Sequence, residues 1–271
     1  MKLAMMSMCC LPMQGATEAD LADLCAFSRE IGLEAIDYIT DHGFAPAVLR
    51  KVSDDNGLPV CAYTFMAALD FPTAQERLPG LDDVKRGIEA AVILGTDRVM
   101  IPPAGRDDLS RVESRRNWIA GLNEALPIAQ DAGVTLTIED FGIGLSPFVV
   151  SSDLLEAVEG APGLKITFDN GNCFTGGEDP VAAWRAVKDH TVHVHFKSFF
   201  LAENPGEGFL AMDGNHYVSA VIGRGLVDNA AGLAALKEDG YDGFINLEAG
   251  EAGVDPREAV RLSAEYLTAL M

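Results

Sequence analysis

Short apolar runs alternate along this chain with longer stretches whose apolar residues recur every three to four positions. Eight of the runs read as strands: KLAMMSMCC (residues 2–10), EAIDYIT (34–40), PVCAYTF (59–65), DRVMIPPA (97–104), TLTIEDFG (135–142), LKITFDNG (164–171), TVHVHFKSF (191–199) and GFINLEAG (243–250). Helical periodicity fills most of the gaps, for example over 18–31, 84–94, 110–132, 153–158, 180–188, 229–239 and 256–270. Thr17, Ser152, Asp179 and Asp255 are candidate N-caps, two of them with proline next. Gly32, Gly57, Gly95, Gly133 and Gly240 stand where a helix end needs a left-handed residue. Eight β-α units predict an α/β fold, a single-domain (β/α)8 barrel over 1–271, a length typical of that fold. The rival open sheet lacks its Gly-rich turn after the first strand. Residues 202–226 are the one long irregular segment, a candidate lid.

Side chains alternate along a strand, so each strand has two faces. On four late strands the large aliphatics share one face and the polar groups the other. The polar series are Thr135, Thr137, Glu139; Lys165, Thr167, Asp169; Thr191, His193, His195, Lys197; and Phe244, Asn246, Glu248. In a barrel the helices cover the aliphatic face, so the polar face points inward, where charge is costly unless paired or bound to a cation. Three carboxylates and an imidazole meeting at the C-terminal mouth make a hard, oxygen-rich site. It suits Mn²⁺, Mg²⁺ or Co²⁺, and Zn²⁺ is also compatible. Each residue taken alone also fits a turn or cap; the matching parity across four strands favours the shared site.

Composition narrows the function. Forty-one acidic residues against 20 basic ones give a formal charge of −21, which argues against nucleic acid and anionic membranes as partners. No apolar run is long enough to span a membrane, and the N-terminus reads as a strand rather than a signal peptide. Cys9, Cys10, Cys25, Cys61 and Cys173 are odd in number and form no C-x-x-C pair, as expected of a cytoplasmic protein. Cys9 and Cys10 read as small buried hydrophobes in the first strand.

The chain resembles the xylose isomerase-like TIM barrels, which include sugar-phosphate isomerases, ketose 3-epimerases, inosose dehydratases and dehydroshikimate dehydratases. The carriers are GLEAIDYI, TIED, FDNGN, HVHFKS, IGRGLVD and GYDGFINLE, spread over nearly the whole chain. The resemblance implies one divalent metal, Mn²⁺ by preference, held by Glu139, Asp169, His195 and Glu248. It implies proton transfer beside a carbonyl through an enediolate, the metal acting as Lewis acid and Glu139 and Glu248 as base and acid on opposite faces of a carbohydrate or keto-polyol. Lys197 would bind or polarise a substrate oxygen, or else form a strand-end ion pair. A homo-oligomer is common in the family.

Three departures bear on the substrate. Asn172 stands where many epimerases have histidine, so a hydrogen bond replaces an imidazole role. Ser198 replaces the acid of H-x-K-D. Arg224 replaces the acid at the centre of G-x-G, and with Arg106 it is a candidate contact for a phosphate or carboxylate, or simply a surface charge. His193, one layer below His195, is a candidate substrate-side residue that reads better as its buried support. The alternative to an isomerase or epimerase is a dehydratase on a keto-polyol or cyclic keto acid, which shares the first proton abstraction. An abasic-DNA endonuclease is disfavoured by the charge, and a non-catalytic binding protein by the intact pair Glu139 and Glu248.

Overall fold

The eight predicted runs do close on each other. A computed structural model of the protein, which describes residues 1–204 and 206–271, contains one barrel of eight parallel strands. In chain order its strands are β1 (Lys2–Met6), β2 (Ala35–Ile39), β3 (Val60–Thr64), β4 (Arg98–Ile101), β5 (Thr135–Glu139), β6 (Lys165–Asp169), β7 (Thr191–Phe196) and β11 (Phe244–Leu247), with β11 pairing back to β1. Outside lie α1 (Glu18–Glu30), α2 (Pro46–Asp55), α3 (Ala74–Leu94), α4 (Arg111–Asp131), α5 (Ser151–Gly160), α7 (Pro180–Val187), α8 (Asn229–Glu238) and α9 (Pro256–Leu270). The fold is the (β/α)8 TIM barrel.

Local signals explain most boundaries. Thr17 caps α1 in a reciprocal box with Asp20, while Asp179 and Asp255 cap α7 and α9 ahead of a proline. The five predicted helix-end glycines all have positive φ, from 63° at Gly57 to 82° at Gly32. Ser152 is not a cap: α5 begins one residue earlier, and Asp153 accepts from the backbone N–H groups of Val149 and Val150. The helix predicted over 84–94 starts ten residues sooner, through Pro79, because Thr73 and Glu76 form a capping box.

Parity organises the interior. One large core packs the outward strand residues, such as Ile36, Tyr38, Leu136, Ile138, Ile166, Phe168, Val194, Phe196, Ile245 and Leu247, against the helices. Inside the barrel the apolar set is small, Ala4, Ala35 and Cys61 with Phe244 against them. Beside it lies a buried polar set: Asp37, Thr137, Thr167, His193 and Asn246. Thr137 Oγ1 lies 2.7 Å from Thr167 Oγ1 and donates to the carbonyl of Val99.

Three expectations are corrected. The first strand ends at Met6, and Ser7–Cys9 form a 3₁₀ turn, leaving Cys9 and Cys10 half-buried at the mouth rather than inside a strand. The seventh strand breaks at Lys197, and Ser198–Leu201 becomes β8 of a separate sheet. The segment predicted as irregular, 202–226, supplies β9 (Phe209–Leu210) and β10 (His216–Ala220) of that antiparallel sheet, which packs around Phe199, Ala211, Tyr217 and Val227. Its residue 205 lies outside the described residues. Among the described residues no helix is long and apolar enough to cross a membrane.

Candidate metal and catalytic site

Barrel order places β5, β6, β7 and β11 side by side. Each brings one of the predicted residues to its C-terminal end. A shift in the β6–β7 register seats Thr167 beside His193 and Asp169 beside His195. The backbone N–H of Glu248, just past β11, donates to the carbonyl of Phe196 at 2.9 Å, which pins it next to β7. One ligand atom from each of Glu139, Asp169, His195 and Glu248 lies within 4.8 Å of the others. Glu139 and Glu248, on the outer two of the four strands, flank Asp169 and His195.

Asp169 shows how the backbone aims a carboxylate. The strand predicted over 164–171 ends at Asp169, and the Asn-Gly-Asn after it opens α6 (Asn170–Thr175). Asp169 is the N-cap of this helix, and its Oδ1 accepts from the N–H groups of Gly171 and Asn172 at 2.8 Å each. Oδ2 is left without a hydrogen bond, facing the cluster 3.2 Å from Lys197 Nζ. Burial is the main reason its acid is pushed up to about 7; Lys197 opposes the shift, and Glu139 and Glu248 add to it.

His195 is fully enclosed, with Nδ1 2.6 Å from Glu139 Oε1 and Nε2 3.3 Å from Asp37 Oδ2. Burial opposes its charge, yet Glu139 and Asp37 raise its pKa well above the ordinary value. The same oxygen of Asp37 is 2.9 Å from His193 Nε2 and accepts from Asn246 Nδ2 at 3.0 Å. Burial would raise the acid of Asp37, but the two histidines pull it below the usual carboxylate range. Burial pulls His193 down to about 4, so it is a neutral donor to Asp37. His193 therefore sits beneath the cluster, supporting it through Asp37.

Lys197 brings a buried ammonium to the cluster. Its backbone N–H donates to Asn170 Oδ1 and its carbonyl accepts from Asn229 Nδ2, at 3.0 Å each, which holds the chain where β7 stops. Its Nζ is 2.8 Å from Glu248 Oε2 and 3.3 Å from Asn172 Oδ1. Burial works against the ammonium, but Asp169 and Glu248 more than offset this and raise its pKa. Asn172 gives its Nδ2 to the carbonyl of Asp140, so both ends of this amide have protein partners.

The two arginines pair with residues other than the four of the cluster. Arg106 forms a two-pronged pair with Asp108 at 2.7 and 2.9 Å, donates to the carbonyl of Asp70 and stacks on Phe71. Arg224 reaches Glu251 at 3.5 Å.

Sequence reasoning missed Asp37, Asp140, Asn170 and Asn229. The parity test applied to β2 pairs Asp37 with Ala35 on the inner face and finds it. Asp140 follows Glu139 with the opposite parity; its Oδ1 accepts the N–H of Asp169 at 2.8 Å, and burial with repulsion from Asp169 raises its acid well above normal. No sequence signal marks that role.

The donor set fits a divalent cation. Asp169 Oδ2 is buried and free of hydrogen bonds, the ligand atoms converge, and three carboxylates with one imidazole match a hard ion.

Comparison with known proteins agrees with the fold. An L-ribulose-5-phosphate 3-epimerase of Escherichia coli is 26% identical over 230 residues, 80% of this chain and 74% of that protein. An inosose dehydratase of Lacticaseibacillus casei is 32% identical over 115 residues, 40% of this chain; the match spans only 38% of that relative's length. Among solved structures, the D-allulose 3-epimerase from Methylomonas sp. in complex with D-allulose superposes with a TM-score of 0.79 at 15% identity, covering 100% of this chain and 97% of that one. The probable 3-DHS dehydratase of Bacillus anthracis gives 0.78 at 17% identity, covering 99% of each chain. The family model described as xylose isomerase-like TIM barrel matches residues 25–270, and the chain belongs to that family.

Proposed function

We propose that the protein is a divalent-metal-dependent isomerase or 3-epimerase of ketoses, moving a proton on the carbon beside a carbonyl. The observation that carries this reading is the convergence of Glu139, Asp169, His195 and Glu248 on four adjacent strand ends. These four would hold the ion, Mn²⁺ by preference for a hard donor set. When bound, it would polarise the substrate carbonyl as a Lewis acid.

The chain's own groups do the rest. Glu139 and Glu248 flank the site from opposite sides, so one takes the proton from one face of the substrate carbon and the other returns it to the opposite face. Both carboxylates are tethered in the structure, Glu139 by His195 and Glu248 by Lys197. Lys197 presents its ammonium to the same space, where it would polarise a substrate oxygen. Asn172 positions Lys197 through its Oδ1.

A second reading, dehydration, draws support from that same ammonium. Placed among Asp169 and Glu248, it is the group that would give a proton to a departing hydroxyl, which leaves as water. The two readings share the first proton abstraction and differ in product.

Incubation of the Mn²⁺-loaded protein with a panel of ketoses in D₂O, followed by nuclear magnetic resonance, tests the reading. The expected result is deuterium at one carbon next to the carbonyl with appearance of the epimer or isomer. Growth of an ultraviolet-absorbing enone instead assigns the dehydratase. Absence of both exchange and dehydration across ketoses, ketose phosphates and cyclic keto acids overturns both.

A further inference from the structure

We infer that the N-terminal end of the barrel, opposite the metal cluster, binds a tetrahedral oxyanion such as inorganic phosphate between Arg98 and Lys165. Alternation places both side chains inside. On β4 the neighbours Val99 and Ile101 pack outward in the main core, and on β6 Leu164 and Ile166 do the same. The register then sets the two at one height. Arg98 pairs with Thr135 across β4 and β5, and Lys165 pairs with Thr137 across β5 and β6. In a barrel of this type the horizontal climbs about one residue per strand, so Lys165, two strands and two residues on, shares the layer of Arg98. Phe244 of β11 belongs to the same floor, packing inside against Ala4, Ala35 and Cys61. Lys2 Nζ lies 5.7 Å from the centre of its ring, which brings a third cation to the rim.

Two like charges in one barrel layer repel each other, and enclosure raises the cost unless an anion stands between them. The chain has 41 acidic residues for 20 basic ones, and cations such as Arg77, Arg115, Arg185 and Arg257 each hold a carboxylate. Among the described residues, neither Arg98 nor Lys165 pairs with one. Arg98 Nη1 donates to the carbonyl of Cys61 at a long 3.4 Å, and its Nε is buried without a hydrogen bond. Arginine grips two oxygens of one anion with a planar fork, and here that fork is open. There is room for a guest. A cavity of about 470 Å³ has Val60, Cys61 and Arg98 on one wall and Gly243 and Phe244 on the opposite one, with Thr96 beside them. Asp97 also lines it, exposed and outside pairing distance of Arg98, while Glu34 is 3.8 Å from Lys2. A dianion matches the two unclaimed charges. Held at the end of the barrel away from the reacting groups, it stabilises the fold and takes no part in the proposed reaction.

The test is calorimetric titration of the Mg²⁺-loaded protein with inorganic phosphate at constant ionic strength. The wild type is expected to bind one phosphate. Arg98→Gln and Lys165→Met should each weaken binding about tenfold or more, as for loss of a hydrogen bond to a charged group. Thermal melts read the same site through stability. Phosphate should raise the Tm of the wild type above that in chloride of equal ionic strength, and the rise should vanish in both variants. Lys165 is half-buried at the end of its strand, so its variant decides the matter if Arg98→Gln fails to fold. Acetate, a monoanion, should bind more weakly than phosphate. Absence of phosphate binding, or undiminished binding in a folded variant, overturns the inference; acetate binding as tightly as phosphate overturns the assignment of a dianion.

Discussion

Asp37 Oδ2 lies 3.3 Å from Nε2 of His195, and this turns the other ring nitrogen, Nδ1, toward Glu139 and the cluster. A carboxylate behind an imidazole fixes its tautomer and ring orientation, and loss of such a partner typically costs about 10–100-fold in metal affinity. Asp37→Asn keeps the size and removes the charge. The expected result, from electron paramagnetic resonance of free Mn²⁺, is weaker binding by roughly that factor, in a protein whose circular dichroism is unchanged. Unaltered affinity would show that Asp37 only fills the barrel floor.

Acid should weaken metal binding. With its acid near 7, Asp169 in the metal-free protein is largely protonated below that pH, and His195 is held protonated by its two carboxylate neighbours. Each proton that must leave raises the Kd for Mn²⁺ about tenfold per pH unit below the relevant pKa. Calorimetry at several pH values, in buffers of different ionisation enthalpy, should show proton release and a Kd that climbs from pH 7 to 5.5. A flat profile contradicts the site.

The same shift has a stability consequence with a definite sign. The folded acid of Asp169 is raised above the unfolded value of about 3.9, so its contribution is present below pH ~4 and lost as pH rises through about 7. Mn²⁺ relieves that loss by pairing with the ionised form. Its stabilisation of the fold in thermal melts should therefore be larger at pH 8 than at pH 5. Equal shifts in Tm at the two pH values, at saturating metal, would contradict this.

Asn229 ties the break in β7 to the loop before α8, because its Nδ2 holds the carbonyl of Lys197 and its Oδ1 accepts from Gly223. Asn229→Ala leaves two groups without their partners and should cost about 1–3 kcal/mol for each that stays buried and dry. Urea unfolding measures it. Loss of exchange activity beyond the loss of folded protein is also expected, since Lys197 is no longer held in place.

Much of this was legible because barrel parity is strict. Glu139, Asp169, His195 and Glu248 follow from alternation on four strands, and the eight-fold repeat follows from periodicity. What escaped depends on contacts between strands. Asp37 obeys the same alternation, inward with Ala35 while Ile36 and Tyr38 pack outward. The α6 helix begins inside the run read as strand to Gly171; only the buried Asp169, with two amides on one oxygen, shows that its carboxylate starts a helix. Arg106 and Arg224, the two candidate anion contacts, each face a carboxylate, Asp108 two residues on and Glu251 in a different loop; only the second pairing needed the fold to be seen.

The acid/base pair is the central claim, and the fate of a single hydrogen tests it most directly. With a ketose that wild-type protein converts in D₂O, Glu139→Gln and Glu248→Gln should each lower net conversion by about 10²–10⁴. Each variant should keep exchange, at most, on one of the two epimers, since only one face retains its carboxylate. Conversion at the wild-type rate in both variants, with Mn²⁺ bound, would contradict the account.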